Sequence, residues 1–141
     1  RIARALSDGL SPSDILVLAR ERAQLTPLTH RLRQRGIPIQ SLAFDDARGI
    51  DFRESAVRLM TLHGSKGLEC AWVAILGLQA MPNRHASLED EARLLYVGMT
   101  RATQQLVLAA SGESAMVARV RQALEGIGAL RPELPFAVSL D

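Results

Sequence analysis

The chain has one cysteine, Cys70, in 141 residues. That excludes an internal disulfide framework and fits a reducing compartment. Aromatic residues make up only 4%, too few to lay the stacking platform on which single-strand binders seat successive bases. Lysine is nearly missing: of 17 basic residues, Lys66 alone is lysine and the other 16 are arginine. No apolar run approaches the roughly 18 residues of a membrane span, and no signal-peptide pattern opens the chain. The expected setting is therefore cytoplasmic, with no membrane partner. Internal repeats, low-complexity segments and any metal-ligand set are also missing. So is the phosphate-binding pattern G-x-x-x-x-G-K-[ST], and without it the chain cannot hold a nucleoside triphosphate by itself in the usual P-loop way.

What is present is ordinary for one globular domain. The apolar fraction is 48% and the charged fraction 23%, enough to bury roughly two-thirds of the unfolded surface. The net charge of +2 says little about nucleic acid. Arginine makes bidentate phosphate contacts, but a GC-rich genome also favours arginine and alanine codons. The first residue is Arg1 rather than Met, which predicts a piece of a longer protein.

Periodicity sets out an alternation of helices and strands. Residues 1–9 read as a short helix stopped by Gly9. Ile15 to Ala19 is a continuous apolar run, as in a strand covered on both faces of a parallel sheet. A helix is expected over Ala23 to Arg35, with Leu25, Leu28 and Leu32 at helical spacing and Gly36 as its stop. Ile37-Pro38-Ile39 starts a second extended piece, and Gln40 to Ala56 is polar and irregular. Val57 to Leu62 and Trp72 to Leu78 read as strands around the loop His63-Gly64-Ser65-Lys66-Gly67. Ser87-Leu88-Glu89-Asp90 has capping-box spacing and opens a helix to about Ala102. A strand over Leu106 to Ala110, a helix over Glu113 to Leu124 and a tail or linker over 131–141 complete the series. The fold class is α/β with a mostly parallel sheet, and the domain boundary is set at 1–130.

Three segments carry chemistry. Arg20 ends the first strand, and functional sites in open α/β sheets gather at the carboxyl ends of strands. In the loop after the third strand, glycines flank Ser65-Lys66, so backbone N–H groups could face an anion or a sugar without a Cβ in the way. On the helix after Ser87, Leu88, Ala92, Leu95, Met99 and Ala102 form an apolar stripe. Glu89, Arg93, Tyr96 and Thr100 form a polar one. Arg101 follows at the helix end, where an arginine can stabilise charge developing on a transferred γ-phosphate.

Read together, DILVLARERAQ…LTHRLRQRGIPI, VRLMTLHGSKGLE and EDEARLLYVGMTRATQQLVL resemble, in order, motifs IV, V and VI of the UvrD/Rep-type superfamily 1 DNA helicases. The resemblance runs from about Asp14 to Ala110. It implies the second RecA-like motor domain, a three-layer P-loop NTPase-like fold lacking the P-loop itself. It also implies ATP with Mg2+, held mainly by an N-terminal RecA-like domain of the same parent chain. Arg20 matches the motif IV arginine that reaches the γ-phosphate, and Arg101 the arginine finger of motif VI. Glu69 matches the glutamate that contacts the ribose, with Gly67 beside it. Thr61 and His63 match positions that meet single-stranded DNA, and Lys66 shares their loop. Arg93 and Tyr96 are implied as supports for Arg101.

The activity implied is half of an ATP-driven, 3′-to-5′ DNA helicase or translocase, inactive as this fragment alone. Relatives insert a large accessory domain between motifs IV and V, whereas only the 17 residues from Gln40 to Ala56 fill that gap here. Cys70 stands where many relatives have an aromatic residue, with Trp72 supplying nearby bulk. A rival reading is a helicase-like module that only binds DNA or a partner. The matches at Arg20, Glu69 and Arg101 weigh against it. A freestanding nucleotide-binding protein is disfavoured by the missing phosphate loop.

Overall fold

A computed structural model of the chain describes residues 1–41, 49–130 and 138–140. Helix α1 (Ile2–Ser7) leads to strand β1 (Ile15–Ala19), helix α2 (Thr26–Gln34) and strands β2 (Ile39–Ser41), β3 (Val57–Thr61) and β4 (Cys70–Leu76). Helix α3 (Leu88–Met99), strand β5 (Ala102–Ala110), helix α4 (Ala115–Leu130) and strand β6 (Val138–Leu140) follow. The strands form one sheet in the order β2-β3-β1-β4-β5-β6, and every pair is parallel. The expected α/β fold with a parallel sheet is therefore the observed one. Within the stretch expected as a tail, Val138–Leu140 pair with Leu108–Ala110 at the sheet edge. Residues 42–48 of the irregular stretch and 131–137 of the tail lie outside the described residues.

Parallel central strands are covered on both faces, so their side chains feed two cores. Leu16, Leu18, Met60, Leu62, Val73 and Ile75 point to one face, under Leu95 of α3 and Met116 and Val117 of α4. Ile15, Val17, Ala19, Leu59, Trp72 and Ala74 point to the other, under Ile2 and Ala5 of α1 and Leu32 of α2. The result is a three-layer sandwich. The expected strand over Val57 to Leu62 is observed over Val57–Thr61, and although Arg58 and Thr61 are polar all five of its residues are buried, because both faces of the sheet are covered here.

Element ends differ from the sequence reading for local reasons. A 3-10 turn over Arg22–Gln24 holds Ala23, and α2 starts at Thr26 with Pro27 in its first turn; Pro fits there because it lacks only an N–H that would be unpaired anyway. Gly36 (φ +67°) stops α2, as expected. Gly77 (φ +76°) ends β4 at Leu76, two residues before the expected end. Strand β5 begins four residues early, at Ala102 instead of Leu106. Its polar, exposed opening pairs with β4 across an irregularity between Cys70 and Trp72. No helix among the described residues is long and apolar enough to cross a membrane.

Candidate functional site

Strand β1 delivers Arg20 immediately past Ala19, at the carboxyl end of the sheet. Its Nε donates to both carboxylate oxygens of Glu91 on the first turns of α3, at 2.7 and 3.0 Å. Glu91 is 2% exposed and the Arg20 side chain 19%. Oε2 of Glu91 also accepts from the backbone N–H of Asn83 at 3.3 Å, and the Asn83 amide donates to Glu21 at 2.7 Å. The loop before α3 is thus strapped to the residue that follows Arg20.

The segment after β3 folds back sharply. Thr61 sits opposite Ala19 in the sheet and is buried; its hydroxyl accepts from the N–H of Gly64 at 3.1 Å. Gly64 is itself buried, so that N–H serves the loop rather than an incoming anion. Ser65 is fully buried and its Oγ donates to the Leu62 carbonyl at 2.7 Å. Lys66 (φ −57°, ψ 126°) and Gly67 (φ +81°) then occupy the middle of a turn closed by Leu68 N–H on the Ser65 carbonyl at 3.0 Å. Those angles describe a type II turn, whose third position requires positive φ, and this is why glycine stands at 67. The buried frame pushes His63, Lys66, Gly67 and Glu69 outward, and all four are exposed.

Helix α3 starts where the capping box places it, with Ser87 Oγ accepting from Asp90 N–H at 3.1 Å. At its other end Thr100 caps the helix and Arg101 folds back over the last turn. Arg101 Nε donates to the Val97 carbonyl at 3.0 Å, Nη1 to the Leu68 carbonyl at 3.2 Å and Nη2 to Thr100 Oγ1 at 3.1 Å. The Arg101 carbonyl accepts from Cys70 N–H at 2.9 Å. Arg101 therefore brackets Glu69 from both sides, through Leu68 and Cys70.

The residues expected at the nucleotide thus fall into two groups. Arg101, Gly67 and Glu69 come together where the loop meets the end of α3. Arg20 is fixed to the opposite end of α3, the span from Glu91 to Met99 being roughly 12 Å of helix. The support expected for Arg101 from Arg93 and Tyr96 is absent among the described contacts. Arg93 pairs with Asp90 at 2.9 Å, Tyr96 is 66% exposed, and the carbonyls of Val97 and Leu68 do the holding. Glu91 is the residue that sequence reasoning missed. It lies three residues after Leu88 and four before Leu95, on the apolar stripe, and an acid on a buried stripe was the available signal.

Cys70 is buried, and that burial raises its thiol pKa against the opposing charge of Arg58. No group of three or more His, Cys, Asp or Glu side chains among the described residues could hold a metal ion.

The fold and these two arginine sites define a RecA-like α/β domain with guanidinium groups held at strand and helix ends and no phosphate loop of its own. Residues 37–113 match the UvrD-like helicase C-terminal domain. The chain belongs to that family. It is 46% identical over 65 residues to DNA helicase II of Escherichia coli K12, a match covering 41% of this chain and 9% of the relative. It is 45% identical over 62 residues to the ATP-dependent DNA helicase PcrA of Bacillus subtilis 168, covering 39% and 8%. The matched part is therefore under a tenth of these curated relatives. In fold the chain resembles the crystal structure of the C-terminal domain of a possible DNA helicase from Lactobacillus plantarum WCFS1. The TM-score is 0.64 at 24% identity, covering 99% of this chain and 72% of that one.

Proposed function

We propose that this domain is the phosphate-facing half of an ATP-driven DNA translocase or helicase, moving 3′-to-5′ along single-stranded DNA. ATP with Mg2+ sits on a separate RecA-like domain of the parent chain and is closed over by this one. The observation that carries the reading is the 3.2 Å hydrogen bond from Arg101 Nη1 to the Leu68 carbonyl. It joins segments 33 residues apart and puts a guanidinium beside exposed Gly67 and Glu69, a cation next to a group that can accept from a ribose hydroxyl.

In this reading Glu69 and Gly67 take the ribose, and Arg101 exchanges one of its three internal hydrogen bonds for a γ-phosphate oxygen. Arg20 approaches the phosphates from the other end of α3. Preorganised cations of this kind stabilise the charge spread over a transferred phosphoryl group. His63 and Lys66 contact the DNA backbone, and Thr61 shapes their loop from inside by holding Gly64. Such contacts position a strand without reading its sequence. Hydrolysis removes the charge that holds the cleft closed, and reopening shifts the DNA contacts.

The test is DNA-stimulated ATP hydrolysis by the parent chain, comparing wild type with Arg101→Ala and Arg20→Gln, each checked for an intact melting transition. Loss of about 10³-fold or more in kcat, with ATP binding retained, is expected for Arg101→Ala. Unchanged turnover in both variants would sink the motor reading and favour a module that only binds DNA or a partner.

A further inference from the structure

We propose that Glu91 is a positioning residue for Arg20, holding the guanidinium by its Nε so that the Nη fork stays available to phosphate. The inference rests on the phosphate-facing role of Arg20 given above. An arginine that merely neutralised a buried carboxylate would be expected to present its two-pronged end to it, since the fork matches the two oxygens. Here both oxygens of Glu91 converge on the single Nε, at 2.7 and 3.0 Å. Neither Nη donates a hydrogen bond to any described residue.

The carboxylate is fixed in turn. Glu91 is 2% exposed, is carried by α3 and accepts from Asn83 N–H at 3.3 Å. The Asn83 side chain closes a ring by donating to Glu21, the residue after Arg20, at 2.7 Å. The ring runs from the end of β1 through α3 and the 83–87 loop back to Glu21. A side chain with many rotamers is thereby limited to one approach while the side chain as a whole keeps 19% exposure. Buried ion pairs are a weak source of stability, because desolvation offsets most of the Coulomb gain. Stability alone is thus a poor account of the pairing.

The parent chain is assayed for ATP turnover at saturating single-stranded DNA as wild type, Glu91→Gln, Arg20→Gln and the double variant. Melting of each is followed by circular dichroism. Glu91→Gln keeps the shape and weakens the hold. It should lower kcat by about 10- to 100-fold, the usual effect of a misplaced catalytic group, while KM for ATP changes less than about twofold. The double variant should be no slower than Arg20→Gln, because Glu91 acts only through Arg20. Wild-type turnover by Glu91→Gln, or a loss that multiplies with that of Arg20→Gln, overturns the proposal. Full turnover by Arg20→Gln overturns the role of Arg20 itself, and Glu91 falls with it. If Glu91→Gln fails to fold, Glu91→Asp supplies the same comparison, since it keeps the charge but draws the oxygens back by one methylene. A selective loss in kcat confined to the Arg20 background is expected again, and its absence counts against the proposal.

Discussion

Substituting Gly98 by valine should destabilise the domain, although valine is the better helix former. Gly98 lies in the last turn of α3, against the sheet. A Cβ built there overlaps Leu62 Cδ2 and comes within 3.1 Å of Ile75 Cδ1 and 3.5 Å of Leu18 Cδ1. All three neighbours are 0% exposed, so none can swing into solvent to make room. Helix propensity favours valine over glycine by only a few tenths of a kcal/mol (roughly 0.3). Forcing extra methyl groups into a packed core costs roughly 1–3 kcal/mol, and valine adds two beyond the Cβ. The expected net loss is about 1–3 kcal/mol, or roughly 2–11 °C in Tm for a domain of this size. Gly126→Val on α4 is the matched control. No atom lies within 4 Å of its added Cβ, so its stability should stay within about 0.5 kcal/mol of wild type. Thermal or urea melts of the chain read both. If Gly98→Val melts with wild type, or both variants shift alike, close approach of α3 to the sheet is not what places glycine at 98.

Two further perturbations test local features. Ser87→Ala removes the acceptor for Asp90 N–H at the start of α3 and should lower stability by about 1 kcal/mol in a urea melt; an unchanged midpoint would mean water replaces the cap fully. Cys70 should alkylate several-fold more slowly in the folded chain than in urea. Burial raises its thiol pKa more than Arg58 lowers it, so less thiolate exists at a given pH, and thiolate is the reactive form. The native rate should climb as pH rises toward that raised value, and equal native and unfolded rates at pH about 8 would refute the burial.

The fold was legible because its signals are local. The apolar run Ile15–Ala19 marked a strand buried on both faces, and Gly36 marked a helix end through its positive φ. What failed were ends decided by partners distant in sequence. The opening residues of β5 are polar and exposed and carry no strand pattern; β4 makes them a strand by lying beside them. Helix α4 runs on to Leu130 through Gly126 and Gly128, where propensity argues for a stop.

The candidate site divides along the same line. Motif order could assign roles to Arg20, Glu69 and Arg101, because each role attaches to a residue type within a local pattern. It could not say what holds those residues, since Arg20 and its carboxylate are 71 residues apart, and Arg101 and the Leu68 carbonyl are 33 apart. Both arginines are nevertheless tied to α3, Arg20 through Glu91 in the first turns and Arg101 through a separate bond to the Val97 carbonyl in the last. Gly98 seats that helix on Leu62, the residue that opens the loop bearing His63, Lys66 and Glu69. A rigid shift of α3 would therefore move both guanidinium groups and press on the loop after β3 at once. Helices pack as units with few intermediate arrangements, so under the proposed function coupling between phosphate and DNA contacts would need no path longer than this one helix and the loop beneath it.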